Sequence, residues 1–97
     1  MMLTQSDIEN QLKSLKPIIF SDYNVKSLGY FGSFALGEEN ESSDIDILVE
    51  FQHPVGWEFF ELEEMLEKVF QRKIDMVTPN ALKPQMRDEI LSSTKYI

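Results

Sequence analysis

The run Asp44-Ile-Asp-Ile-Leu-Val-Glu-Phe51 sets two carboxylates two residues apart inside a stretch of Ile, Leu and Val. In a β-strand, residues i and i+2 point to the same face. Asp44 and Asp46 therefore share one face, and Ile45, Ile47, Val49 and Phe51 take the other, where helices can cover them. A chain with this segment must build a sheet that is apolar on one side and carries an acidic pair on the other.

Carboxylates this close repel, and a raised pKa or a bound cation relieves the repulsion. Mg²⁺ suits the pair because it takes oxygen ligands, keeps several waters, and is commonly held by one or two carboxylates together with nucleotide phosphates. With no cysteine and one histidine, the chain offers no zinc site of the Cys/His kind.

Upstream, Val25 to Phe31 reads as a short strand that ends at Gly32. Phe34-Ala35-Leu36 reads as a single helical turn closed by Gly37, and Glu38 to Ser43 as a solvated loop. Small residues at a strand-to-helix turn let backbone N–H groups approach an anion. Gly32 and Ser33 are thus candidate phosphate-binding residues, with the Ser33 hydroxyl as a further donor. Two-metal nucleotidyl transfer also calls for a carboxylate at the attacking hydroxyl or the second ion. Asp75 is the candidate. It lies in the alternating segment Lys73 to Val77, with Ile74 and Met76 on the opposite face.

The 97 residues amount to one small domain with one core, spanning 1–97. Ser6-Asp7-Ile8-Glu9 has the form of a capping box opening a helix of about Asp7 to Lys16, with Pro17 as its stop. The stretch 18–24 fits either a continued helix or a loop. After His53-Pro54-Val55-Gly56, the residues Trp57, Phe60, Leu62, Met65, Leu66, Val69 and Phe70 recur at helical spacing. Thr78-Pro79-Asn80 reads as a turn, and Pro84 as the first residue of a last helix to about Ser92. The fold class is α+β, a short mixed sheet of three or four strands packed with helices.

Taken singly, an Asp-x-Asp is more often a solvated strand edge, and a Gly-Ser turn is usually just a turn. Their joint spacing with Asp75 reverses those odds. Glu58, Glu61, Glu63, Glu64 and Glu67 read as a solvated helix face, with Glu64 and Lys68 as an i,i+4 pair. His53 reads as a surface residue before a proline. Trp57, Phe59 and Phe60 suit a core or a partner interface better than an adenine stack.

Gly32-Ser33, Asp44-x-Asp46 and the later Asp75 resemble the minimal nucleotidyltransferases of the DNA polymerase beta-like superfamily, over roughly residues 25 to 92. The resemblance implies Mg²⁺-dependent transfer of AMP from ATP to a hydroxyl. Gly32 and Ser33 would hold the β and γ phosphates, Asp44, Asp46 and Asp75 the metals, and Asp75 would position or deprotonate the acceptor. It also implies a partner, because stand-alone members are often antitoxins that add AMP to a tyrosine of a HEPN-domain ribonuclease toxin. Leu36 stands where the family pattern has Arg, and Lys26, Arg72 and Lys73 are the cations that could compensate. An antibiotic-type small-molecule transferase and a non-catalytic antitoxin acting by binding alone are the alternatives.

The net charge of −8 and pI near 4.5 argue against a nucleic-acid acceptor and for a basic protein partner. The absence of cysteine, of a spanning apolar run and of a signal-peptide layout fits a cytoplasmic chain without membrane contact.

Overall fold

The computed structural model describes residues 3–97. Helix α1 (Gln5–Asp22) leads into β1 (Val25–Phe31), the short α2 (Gly32–Leu36) and β2 (Ile45–Phe51). Then follow α3 (Trp57–Phe70), β3 (Ile74–Val77), a 3₁₀ turn (Pro79–Ala81), α4 (Pro84–Ser93) and β4 (Lys95–Tyr96). The sheet order is β3-β2-β1-β4, with β1 antiparallel to both β2 and β4 and with β3 parallel to β2. The expected mixed sheet is present, and the fourth strand is the two-residue β4. No helix of the described residues is long and apolar enough to cross a membrane.

Strand alternation builds the core as expected. Ile45, Ile47 and Val49 of β2 are fully buried with Ile8, Leu12 and Ile19 of α1 and Leu62 and Leu66 of α3. Each such side chain contributes about 1.5–3 kcal/mol on burial. One residue breaks the two-sided pattern: Leu48, on the acidic side, is also buried.

Helix α1 departs from its expected form at both ends. Its capping box is Thr4 with Asp7, not Ser6 with Glu9: the Asp7 N–H donates to Thr4 Oγ1 at 3.2 Å, and the Thr4 N–H to Asp7 Oδ2 at 2.9 Å. Glu9 instead accepts the Tyr30 hydroxyl and ties α1 to β1. Burial, and then this bond, push the Tyr30 pKa up to about 12. At the other end the helix runs through Pro17 to Asp22. Proline removes one backbone donor, but burying Ile19 on the same face as Ile8 and Leu12 outweighs that loss.

The acids of α3 are also not uniformly solvated. Lys68 pairs with Glu64 at 3.1 Å as expected. Glu67, however, accepts the Ile74 N–H at 3.3 Å, and Glu63 stands beside the Met76 backbone. Burial first, and the Glu67 charge second, raise the Glu63 pKa. These two carboxylates, one helical turn apart, lie along the outward N–H groups of edge strand β3, the groups through which an open edge recruits another strand. At the far edge β4 covers β1, and the Ile97 N–H reaches Leu28 O at 2.9 Å. Gly29 permits this approach, since a Cβ there would lie 2.7 Å from Thr94 Cγ2 and 2.9 Å from Lys95 O.

The doubly substituted Glu63→Ala, Glu67→Ala chain is therefore expected to self-associate with rising concentration. Sedimentation velocity on both proteins checks this, and an unchanged monomer-to-oligomer balance would show that the glutamates do not guard the edge.

Candidate active site

Two strand pairings assemble the acidic site. The antiparallel ladder sets Phe31, the last residue of β1, opposite Asp46, and the parallel ladder sets Asp46 opposite Asp75. Asp44 is the residue just before β2 and is exposed, as is Asp75, while Asp46 is half-buried between them. Asp75, expected there from strand alternation and the family pattern, therefore stands beside the Asp-x-Asp pair. Burial, then the charges of Asp75 and Asp44, and last a hydrogen bond to Asp75 push the Asp46 pKa up to about 6.

The glycine-serine turn folds directly over this cluster. Gly32 follows Phe31 with φ +69°, a conformation that L side chains rarely adopt. A Cβ at that position would lie 2.0 Å from Asp46 Oδ2 and 2.9 Å from its Cγ. Only glycine meets both demands. Ser33 follows in α2, and the Glu38 N–H closes that helix on Ser33 O at 2.9 Å.

The three cations considered as substitutes for an arginine at position 36 sit in three different places. Arg72 braces the loop ahead of Asp44: its Nη1 donates to Ser43 O at 3.1 Å and to Asn40 O at 3.4 Å, and its guanidinium lies 5.7 Å from the Phe34 ring centroid. Lys73 Nζ stands 4.0 Å from Asp44 Oδ2, an exposed contact of small value. Lys26 belongs to the opposite end of β1, near the residue that pairs with Phe51, and so is remote from the acids. Leu36 itself is 59% exposed. The bracing by Arg72 joins residues about 30 positions apart and leaves no local signal in the sequence.

Among the described residues, no group of three or more His, Cys, Asp or Glu side chains is arranged so that together they could hold a metal ion. The donor set still fits Mg²⁺. It is all carboxylate, two of its members raise the proton affinity of the third, and Mg²⁺ requires only one or two protein carboxylates alongside water and phosphate. His53 stands apart from this set in an exposed loop after β2, its Nδ1 3.1 Å from Pro54 O.

The raised pKa of Asp46 carries a stability consequence. Below about pH 4 the group is protonated whether folded or unfolded and has no effect. As the pH rises from about 4 to 6, the unfolded state ionises first, and folding loses stability on the order of 1–2 kcal/mol once screening at this half-buried site is allowed for. Asp46→Asn is expected to raise the melting temperature of metal-free protein at pH 7 to 8 and to match wild type near pH 3.5. Thermal melts across pH check this, and equal melting temperatures at pH 8 would contradict it.

A model of the nucleotidyltransferase domain matches residues 6–97. A Methanocaldococcus jannaschii protein classed with the protein adenylyltransferases is 45% identical over 84% of this chain and 95% of its own length. The protein adenylyltransferase MntA of Thermococcus cleftensis is 37% identical over 99% of this chain and 98% of its own length. The fold also superposes with a TM-score of 0.67, at 19% identity, on a chain of the solved complex of tri-AMPylated Shewanella oneidensis HEPN toxin with MNT antitoxin, covering 96% of this chain and 71% of that one. The domain match over residues 6–97 and the 37–45% identity across most of the chain agree, and the chain belongs to the nucleotidyltransferase domain family.

Proposed function

We propose that this chain is a Mg²⁺-dependent protein adenylyltransferase that moves AMP from ATP to a tyrosine hydroxyl of a HEPN-type ribonuclease and so acts as its antitoxin. The observation that carries the reading is the in-register pairing of Asp46 with Asp75 beneath the Gly32 turn. That arrangement supports a reading in which phosphate held at the turn lies beside the acids. The acceptor class is supported by the relative named a protein adenylyltransferase and by the complex in which an MNT antitoxin accompanies an AMPylated HEPN toxin.

In this mechanism the Gly32 and Ser33 backbone, with the Ser33 hydroxyl, holds the β and γ phosphates and leaves the α phosphorus over the acids. Asp44 and Asp46 would hold Mg²⁺, with Asp75 as a further ligand; bound there, it would neutralise the triphosphate and stabilise charge at the α phosphorus. The acceptor oxygen attacks that phosphorus, its proton passes to Asp75, and the bond to the bridging oxygen breaks to release pyrophosphate. Asp75 is the most open of the paired acids and so the one an incoming hydroxyl meets. Asp46, wedged against Gly32, holds the geometry.

Intact mass spectrometry of a co-expressed HEPN-type ribonuclease, incubated with this chain and Mg-ATP, tests the reading. The ribonuclease is expected to gain one or more AMP units, mapped by peptide sequencing to tyrosine. The gain should vanish with EDTA, return with added Mg²⁺, and fall at least ~100-fold for Asp44→Asn with Asp46→Asn. A stable complex without any mass gain would leave an antitoxin acting by occlusion alone.

A further inference from the structure

At the other end of β2 from the acids lies a cleft of about 890 Å³ between the β2–α3 loop, the first turn of α3 and the Thr78-Pro79-Asn80 segment. Its aromatic residues form a ladder running from the core to solvent. Phe51 and Phe59 have ring centroids 6.3 Å apart, Phe59 and Phe60 5.4 Å, and Phe60 and Trp57 6.5 Å. The inner two are half-buried, but Trp57 is 78% exposed and Phe60 59%. Two large aromatic side chains left in water beside a preformed hollow are the kind of feature that anchors an interface.

The charge lining the cleft is one-sided. Its lining contains Glu50 and neither Lys nor Arg, and His53 is its one side chain able to carry positive charge. Helical spacing continues the exposed aromatic stripe into acid, with Trp57, Phe60, Glu61 and Glu64 following at i, i+3, i+4 and i+7. Glu61 has no ion-pair partner among the described residues. The occupant that matches an aromatic floor with an acidic border is an amphipathic segment rich in Lys or Arg.

The aromatic end of the cleft lies beyond the nucleotide. Phe51 lies five residues beyond Asp46, about 17 Å along the strand at ~3.3 Å per residue. An adenosine whose α phosphorus sits at the acids does not extend that far. A macromolecular acceptor, by contrast, can present its hydroxyl to Asp75 and hold on elsewhere.

We propose that this aromatic cleft is the docking site for the protein acceptor, gripping a basic amphipathic segment of it while the acids act on its hydroxyl. This rests on the reading of the chain as a protein adenylyltransferase. Grip and chemistry would then occupy opposite ends of one strand, and truncating the aromatics should weaken acceptor binding while leaving turnover intact.

Trp57 is the chain's single tryptophan, so fluorotryptophan labelling gives one fluorine resonance placed in the cleft. Unlabelled co-expressed HEPN-type ribonuclease is the probe, with Mg-ATP alone and a dilution series of the labelled chain as separate arms. The resonance is expected to shift with stoichiometric ribonuclease and to stay fixed in the other two arms. Because both side chains are largely exposed, Trp57→Ala with Phe60→Ala should fold normally, raise the KM for the ribonuclease at least about tenfold, and keep kcat and the KM for ATP within about twofold. Glu61→Lys should weaken binding in the same direction.

If the ribonuclease binds and is AMPylated while the resonance stays still, or the KM does not change, the docking site is wrong and the adenylyltransferase reading survives. A shift with Mg-ATP alone would make the cleft a nucleotide subsite, and a shift on concentration alone would make it a contact between copies of this chain. Either overturns the proposal. If the ribonuclease neither binds nor gains AMP, the functional reading fails and the docking site falls with it.

Discussion

The parallel pairing of β2 with β3 is the contact on which the candidate site depends. It sets Asp46 opposite Asp75, two carboxylates side by side, in an arrangement a fold would not adopt for stability. Burial first, and then the charges of Asp75 and Asp44, raise the pKa of Asp46. What holds the pair is the other side of the same ladder, where Ile45, Ile47, Ile74 and Met76 are all buried. At about 1.5–3 kcal/mol for each large apolar side chain, that face outweighs the repulsion. The strands thus keep the acids together without needing any ligand to do so.

Two further constraints convert a pair of acids into a shaped site. The antiparallel ladder ends β1 opposite Asp46, so the chain must turn there, and the clearance to Asp46 admits a glycine and no larger residue. The loop between α2 and β2 is held by hydrogen bonds among Asn40, Ser42 and Ser43, and Arg72 braces it from β3's side, holding the Ser43 and Asn40 carbonyls and facing the Phe34 ring. Arg72 precedes β3 by two residues. One side chain therefore ties together the turn helix, the approach to Asp44 and the entry to the Asp75 strand. An arginine at position 36 is not needed for that bracing.

What was legible in the sequence is what periodicity encodes. The alternation about Asp44 and Asp75 and the i, i+3, i+4 spacing of α3 each report a residue's own neighbours, and the elements they imply are present. Signals that need a partner elsewhere were misread or missed. Glu9 fits the local form of a capping box, but the Tyr30 hydroxyl claims it from β1. Pro17 reads as a stop because its ring removes a donor, yet Ile19 has a core to enter, and tertiary burial prevailed over local propensity. Glu63 and Glu67 look like any other acids on an exposed helix until β3 lies beside them. The distance between Gly32 and Asp46 likewise depends on a strand register that no window of sequence contains.

One edge of the sheet ends in the two-residue β4, and along the other Glu67 accepts the Ile74 N–H. Strand addition along β3 is thus disfavoured as a way of recruiting a partner. The core face is covered by α1 and α3, and the opposite face is closed at Leu48. Two surfaces suited to recognition lie at the ends of β2, the open acids at its start and the aromatic hollow at its end. A rigid strand between them fixes their separation. A small acceptor could engage only one of the two, whereas a protein can reach both, so this arrangement favours macromolecular acceptors by geometry before any contact with the reacting hydroxyl is made.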